Sequence, residues 1–308
     1  MSNHPETKAT LEVCMFGGAS SLPILAAAEL GIFEAAGLDV NIHLTRGSAE
    51  LMEGLLDGTY DIVHAAPGNF IAWRDRTAAP ITAWLGGTSG PIRLIAARDV
   101  TELAGLAGRE IAVDAVTSGF VSILRKMLRS AGLREEDVDL VPLGATSLRF
   151  DALMAGETSA SMLTLPWSIQ AARSGLQVIG DQEDVLPRLQ GSCAASLEGW
   201  LDANGATADA YVRAISASLT WLNDARNALD ATALVVKRYD VASDIADEVR
   251  TAIMDPRTGW PPSGMIDPVG MEMVCELRTE NGQPPAHPAE EYYTLEPYRR
   301  VFGFSLLD

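Results

Sequence analysis

Short apolar runs alternate with segments of helical periodicity along most of this chain. Five runs in the first third have the length and composition of strands, and they lie at residues 11–16, 39–45, 60–65, 81–87 and 92–97. Helical segments follow the first three runs. The third of these helices begins near Pro67, a residue suited to a first helical turn, where the N–H that it lacks would be unpaired. This alternation predicts an α/β fold in which a mostly parallel sheet is flanked by helices.

The same pattern restarts after residue 101 and continues to about residue 181, beyond which the periodicity is mainly helical. The changeover between the two series lies near Gly86–Gly90. Two α/β series in succession predict a two-lobed protein, with a mostly parallel sheet in each lobe and a helical C-terminal segment.

The predicted division of the chain follows from these changeovers. Lobe 1 is expected to comprise residues 1–90 and 190–308, and lobe 2 residues 91–189. The lobes should meet near residues 86–97 and 175–195, with a ligand cleft between them.

Composition narrows the classes of partner. The chain has 308 residues, with 23 basic and 41 acidic side chains and a net charge of -18, which argues against nucleic acid and anionic membranes as partners. Cys14, Cys193 and Cys275 are far apart and match neither a metal-binding spacing nor a redox motif. No metal or other cofactor is therefore expected.

Neither an export signal nor a membrane-spanning apolar run is recognised, so the chain as written is expected to be cytoplasmic, or periplasmic if a signal has been removed.

Ligands of open α/β sheets bind beyond the carboxyl ends of the strands, where helix N-termini present free N–H groups. Four loops qualify here, at residues 17–21, 65–69, 117–120 and 164–167. Glycine lets backbone approach a ligand closely, and hydroxyl groups add hydrogen bonds. His64 ends a strand, and it is predicted to face the cleft and bind an anion or move a proton. The residues expected to bind ligand are Gly18, Ala19, Ser20, His64, Asn69, Arg74, Thr117, Ser118, Gly119, Phe120, Thr164 and Trp167.

Several stretches resemble a known family. GASSLPILAAAELGIFEAAGLDV (residues 18–40), and within it GIFEAAGLDV, is similar to the opening of the sulfonate/taurine-type solute-binding proteins. LAGLAGREIAVD (103–114), LMAGETSASMLTLP (153–166) and WLDANG (200–205) resemble later landmarks of that family. The resemblance covers roughly residues 10–280 and implies a two-lobed periplasmic-binding-protein type II fold. Thiamin-pyrimidine synthases and aryl-sulfinate desulfinases share this fold.

The resemblance also allows a test for enzyme chemistry. His64 and Arg74 have the spacing of a histidine–arginine pair in the desulfinases, which implies an acid/base role for His64. The desulfinase nucleophile is a cysteine, but Gly18 stands at that position, and Cys14 lies four residues earlier in a predicted strand. Cys14 is therefore interpreted as a core residue. None of the three lysines is placed to form a Schiff base, as the thiamin-pyrimidine synthases require.

Two functions remain open from the sequence. The first is a binding protein that closes two lobes over a small organic anion, such as a sulfonate or aromatic acid, with an ABC permease as a partner. The second is a cytoplasmic lyase or hydrolase on the same fold that uses His64 as the acid/base.

Overall fold

The computed structural model describes residues 8–45, 47–116 and 118–303. Its strands form two separate five-stranded sheets, which confirms the predicted two-lobed α/β architecture. Sheet 1 has the strand order β2-β1-β3-β10-β4, and sheet 2 has the order β7-β6-β8-β5-β9. The strands are β1 (Ala9–Phe16), β2 (Leu38–Thr45), β3 (Ile62–Ala65), β4 (Ile81–Gly86), β5 (Arg93–Ala96), β6 (Glu110–Val113), β7 (Asp139–Pro142), β8 (Ala160–Leu163), β9 (Gln177–Asp181) and β10 (Cys193–Leu197).

Helices cover both sheets and make up most of the chain after β9. They are α1 (Leu22–Glu29), α2 (Ile32–Ala35), α3 (Ser48–Leu56), α4 (Pro67–Thr77), α5 (Gly119–Ser130), α6 (Thr146–Ala155), α7 (Trp167–Arg173), α8 (Gln182–Val185), α9 (Glu198–Ala203), α10 (Gly205–Asn223), α11 (Ala228–Tyr239), α12 (Ser243–Ile253), α13 (Pro268–Glu280) and α14 (Glu296–Phe302). Lobe 1 denotes sheet 1 with the helices packed on it, and lobe 2 denotes sheet 2 with its helices.

Each sheet is parallel except for one strand. β10 runs antiparallel to β3 and β4 in sheet 1, and β5 runs antiparallel to β8 and β9 in sheet 2. These are the two strands that the chain enters after crossing from the other sheet. The first crossover is residues 87–92 and the second is residues 182–192. The chain leaves each sheet at the edge where the parallel strands of that sheet end, and it enters the other sheet at the corresponding edge. The strand that it forms there must therefore be antiparallel to its new neighbours.

Alternation along the strands separates two apolar layers on sheet 1. Val13 and Met15 pack on the face covered by α1 and α10, whereas Cys14 packs on the face covered by α3 and α4. Burial of such side chains is the main source of stability in a domain of this size. The first layer also contains Trp84, whose indole Nε1 donates to Ser196 Oγ over 3.0 Å.

Two further observations concern membrane-spanning helices and metal-binding groups. Within the described ranges, no helix is both long enough and apolar enough to span a bilayer. The same residues contain no group of three or more His, Cys, Asp or Glu side chains placed to hold a metal ion.

Candidate functional site

The two crossovers bring the carboxyl edges of the sheets together. The first crossover joins the end of β4 to Arg93, which pairs with Leu163 at the end of β8 and with Asp181 at the end of β9. The second crossover ends at Cys193, which pairs with Ala65 at the end of β3. Short connections between these edges bring the strand-end loops of the two lobes near one another, and the predicted cleft would lie between these loops, at strand ends where α/β proteins bind their ligands.

One hydrogen bond joins the two walls of this cleft directly. The backbone N–H of Ala19 in lobe 1 donates to the carbonyl of Leu165 in lobe 2 over 3.4 Å. Both residues are buried, and Leu165 packs with Ala19 in the same apolar cluster. The lobes are therefore in contact at the loops that follow β1 and β8.

The loop after β1 is held from outside by C-terminal residues. Tyr239 donates its hydroxyl to the carbonyl of Gly18 over 2.9 Å, and Trp260 Nε1 donates to the carbonyl of Ser20 over 2.8 Å. Gly18 and Ser20 are half-buried and Ala19 is buried. The carbonyl groups at both ends of this segment are thus already bonded within the protein. Ligand contact by Gly18, Ala19 and Ser20 stays a prediction.

In lobe 2 the loop after β6 leads into the N-terminus of α5. Ser118 caps this helix, since its Oγ accepts from Val121 N over 3.2 Å and donates to Asp114 Oδ1 over 2.5 Å. Gly119 is exposed and Phe120 is half-buried. Thr117, another of the predicted ligand-binding residues, lies outside the described residues. The predicted helix start is present at the carboxyl edge of sheet 2, and the first N–H groups of a helix have no partner within the helix itself.

Behind this helix start lies a buried arginine that the sequence did not single out. Arg149 is 1% exposed and lies in the first turns of α6. Its Nε donates to Gly144 O over 3.0 Å and its Nη2 to Thr146 Oγ1 over 2.9 Å, while its Nη1 donates to Met162 O. Met162 precedes Leu165, the lobe 2 residue that contacts lobe 1, by three positions. Arg149 therefore lies at the cleft edge of sheet 2.

The charge of Arg149 has no carboxylate within ion-pair distance among the described residues. Burial lowers its pKa, and the more distant charge of Asp114 opposes that shift. An arginine nevertheless stays protonated in a protein. The Phe120 ring centroid lies 5.8 Å from its guanidinium carbon. A buried cation balanced only by neutral oxygens and a more distant carboxylate favours an anion nearby.

Exposed apolar side chains accompany this cation along the cleft edges. Leu44 lies at the end of β2, Val116 lies between β6 and α5, and Leu148 lies in the first turn of α6. Leu44 is the penultimate residue of its strand, whereas Val116 and Leu148 follow the carboxyl ends of β6 and β7 in lobe 2. Large apolar side chains exposed at such a place are typical of a surface that contacts an apolar part of a ligand.

His64 does not have the predicted orientation. It is 7% exposed, its Nε2 lies 2.9 Å from Tyr211 Oη, and its ring lies 5.9 Å from that of Tyr211. Tyr211 belongs to α10, which packs on lobe 1, so the ring is directed into that lobe. Burial lowers the pKa of His64 to about 3. At neutral pH the imidazole is therefore uncharged, and this placement does not support the prediction that His64 faces the cleft to bind an anion or move a proton.

The lowered pKa of His64 predicts a loss of stability in acid. An unfolded chain protonates histidine below about pH 6.5, whereas the folded protein keeps His64 neutral down to about pH 3. This group therefore lowers the free energy of unfolding as pH falls from 6.5 towards 3, by about 2 kcal/mol at pH 5. We expect urea unfolding of His64→Gln to show a correspondingly smaller loss between pH 7.5 and pH 5 than the unmodified protein. His287→Gln, which removes an exposed histidine, serves as the control, and equal losses in all three proteins would contradict the assignment.

Arg74 lies at the opposite end of sheet 1 from the cleft. Its Nη1 donates to the carbonyl of Ile81, the first residue of β4, over 2.8 Å and to Glu198 Oε1 over 2.7 Å. β4 is parallel to β3, so its first residue is at the edge remote from the cleft. In addition, α4 carries Arg74 about 10 Å along its axis away from its start at Pro67. This position does not support ligand binding by Arg74, or a desulfinase-like action with His64, and both stay predictions.

Cys14 is a core residue, as interpreted from the sequence. It is fully buried among the side chains of α3 and α4, and burial raises the pKa of its thiol to about 11. A thiol of this pKa is not a nucleophile at neutral pH.

Three other predicted residues have mixed outcomes. Trp167 packs against the lobe 2 cluster of Ile95, Leu153, Leu163 and Ala171, so much of its ring serves the core. Thr164 and Asn69 are half-buried at the cleft edges of lobe 2 and lobe 1. Ligand contact by Thr164, Asn69 and the exposed part of Trp167 stays a prediction.

Comparisons with known proteins agree with this architecture. The chain is similar to the periplasmic aliphatic sulphonate-binding protein SsuA from Escherichia coli, with 17% identity, a TM-score of 0.73 and coverage of 92% of this chain and 97% of that one. It is similar to the periplasmic nitrate-binding protein NrtA from Synechocystis PCC 6803, with 14% identity, a TM-score of 0.77 and coverage of 98% and 90%. It is also similar to the desulfurization enzyme DSZB, with 16% identity, a TM-score of 0.67 and coverage of 96% and 99%.

At these identities the similarities establish the fold alone, because one fold hosts receptors and enzymes alike. A search of curated proteins gave no match. The sequence model of the NMT1-like family matches residues 4–236. The match spans most of the chain and confirms the resemblance recognised in the sequence: this protein belongs to the NMT1-like family.

Proposed function

We propose that this protein binds a small organic anion by closing its two lobes over it, and delivers it to an ABC permease. The observation that carries the proposal is Arg149, a buried cation without a carboxylate partner among the described residues, beside the start of α5. The exposed apolar side chains of Leu44, Val116 and Leu148 favour an organic anion over an inorganic one.

A local binding site for an anion is compatible with the negative net charge of the whole chain. The net charge of -18 repels anions at long range, but a site recognises its ligand through groups within a few ångströms. A guanidinium and the N–H groups of a helix start act at that distance. Relatives of the same fold include proteins named for the binding of sulphonate and nitrate, which are both anions.

The enzyme alternative receives less support. His64, its acid/base candidate, is bonded to Tyr211 and stays neutral above about pH 3. Its arginine partner lies at the other end of the sheet, and Cys14 is a buried thiol. The proposed receptor role needs none of these groups.

A ligand screen tests the proposal. Thermal unfolding would be measured with benzenesulfonate, benzoate, taurine and methanesulfonate, and with benzamide as the uncharged match for benzoate. A ligand at a hundred times its dissociation constant should stabilise the protein by about 2.7 kcal/mol, which corresponds to a rise of about 5 °C in Tm. We expect at least one anion to do this and benzamide not to. Equal shifts with benzoate and benzamide, or no shift with any anion, would contradict the proposal. Release of sulfite from benzenesulfinate would favour the enzyme instead.

A further inference from the structure

Two C-terminal helices are attached to the crossovers at one end and to lobe 2 at the other. After α12 the chain reaches the first crossover, where Thr88 Oγ1 donates to Thr258 O over 2.9 Å and Ser89 N donates to Gly259 O over 3.4 Å. Just before α13, the backbone N–H of Asp267 donates to Gln190 Oε1 of the second crossover over 2.9 Å. Because both crossovers link the lobes, these attachments are at the hinge.

The opposite end of each helix carries carboxylates that pair with cations of lobe 2. In the first half of α12, Asp244, the second residue of the helix, and Glu248, the sixth, both pair with Arg173 at the end of α7. At the end of α13, Glu280 pairs with two cations of α5, at 2.7 Å from Lys126 Nζ and 3.0 Å from Arg129 Nη2. In all four ion pairs the cation belongs to lobe 2 and the carboxylate to a C-terminal helix.

The lengths of the helices separate these ion pairs from the hinge. α12 has 11 residues and α13 has 13 residues, so they are about 16 Å and 20 Å long. Rotation about the hinge moves groups at such a distance by several ångströms, which separates an ion pair, whereas contacts at the hinge itself change little. The four pairs are present in this arrangement of the lobes, and opening about the hinge would pull them apart.

We propose that α12 and α13 act as two struts whose ion pairs to lobe 2 set the balance between the open and closed arrangements of the lobes. The inference rests on the proposed closure of the lobes but not on the identity of the ligand. The pairs are partly exposed, so each contributes modestly and is weakened by salt. Together they change the ratio of closed to open protein by about tenfold.

Small-angle X-ray scattering of the ligand-free protein tests the struts. The radius of gyration would be measured in 20 mM and 500 mM NaCl for the unmodified protein and for Arg173→Gln, Glu280→Gln and the double variant. Each single substitution removes two ion pairs. We expect the unmodified protein to expand on addition of salt, and the double variant to be expanded already in 20 mM NaCl and no longer to respond to salt.

Two controls separate this effect from a general loss of charge. Arg300→Gln breaks the pair of Arg300 with Asp209, which joins α14 to α10 within lobe 1, and should behave as the unmodified protein. Arg173→Lys keeps the charge and should retain the compact form. The inference is overturned if the unmodified protein has the same radius at both salt concentrations, or if Arg300→Gln expands as much as the double variant. Salt-dependent expansion without any anion binding would support the struts and contradict the proposed function. Anion binding without salt-dependent expansion would support the proposed function and contradict the struts.

Discussion

Arg149→Met is expected to lower the affinity for benzenesulfonate or benzoate by about 100-fold, whichever the screen identifies as a ligand. Because Arg149 is buried and its nitrogens already donate within the protein, its charge is what would act on the ligand. Removing a unit charge about 6 Å from an anion costs about 3 kcal/mol at an effective dielectric constant of about 20, which corresponds to this factor. Methionine is also unbranched and apolar, so it can lie near the Phe120 ring that faces the guanidinium. The change therefore removes the charge and its N–H groups while largely preserving the volume.

Stability of the Arg149→Met protein reflects two opposing terms. The substitution leaves the carbonyls of Gly144 and Met162 without their donor, which costs about 1–3 kcal/mol for each buried acceptor. It also removes the cost of burying a cation, which amounts to several kcal/mol. We therefore expect the variant to fold with a free energy of unfolding within about 2 kcal/mol of the original, so that loss of affinity is not a consequence of unfolding.

Isothermal titration calorimetry measures the affinity of Arg149→Met for the ligand, and two further variants serve as controls. Arg149→Lys keeps the charge but not the planar fork, and it should bind with intermediate affinity. Arg98→Met removes an exposed arginine of lobe 2 that donates to Ser174 O, remote from the cleft edge, and it should leave affinity unchanged. If Arg149→Met and Arg98→Met bind the ligand equally well, Arg149 does not contribute to an anion site.

The largest expected loss of stability comes from Gly191→Ala in the second crossover. A Cβ at this position would lie 2.1 Å from the carbonyl oxygen of Ser89 and 2.4 Å from its carbonyl carbon. These are backbone atoms of the first crossover, and neighbouring bonds hold the two segments together: Ser192 N donates to Thr88 O, and Gly87 N donates to Ser192 O, both over 2.9 Å. The clash cannot be relieved by turning a side chain, so we expect a loss of about 3 kcal/mol.

Urea unfolding measures this loss against a matched glycine. Gly199 lies in α9, where an added methyl group would meet no neighbouring side chain within 4 Å. Gly199→Ala should therefore be neutral or stabilising by up to about 1 kcal/mol, as glycine-to-alanine changes in helices are. A Gly191→Ala protein as stable as the Gly199→Ala protein would mean that the two crossovers are not in this close contact.

The fold was largely predictable because its signals are local. The apolar run of residues 39–45 lies within β2, and the capped segment at Ser118 begins α5. Strand and helix periodicities depend on neighbours a few positions apart, so a single sequence records them. The order of strands and helices then restricts the topology to a few choices, of which the two-lobed α/β fold was one.

The candidate site was only partly predictable. The sequence correctly indicated the start of a helix at Ser118 and Gly119, because a strand followed by a capped helix is a local pattern. It did not indicate Arg149, since an arginine in a helix is usually exposed and nothing nearby in the sequence distinguishes this one. The one available hint was the position of Arg149 along the chain. It lies near the start of the helix that follows β7, close to where a parallel strand ends.

The sequence by itself determined the alternation of strands and helices and the family, and it predicted a cleft at the strand ends. Tertiary structure alone decided which side chains reach that cleft. The side chain of His64 is hydrogen-bonded to that of Tyr211, which lies 147 positions away along the chain. The side chain of Arg74 is hydrogen-bonded to that of Glu198, which lies 124 positions away. Contacts between such distant positions depend on how sheets and helices pack together, and no periodicity along the chain records them. For the same reason, only the folded chain leaves the cation of Arg149 buried at the cleft without an adjacent carboxylate among the residues described.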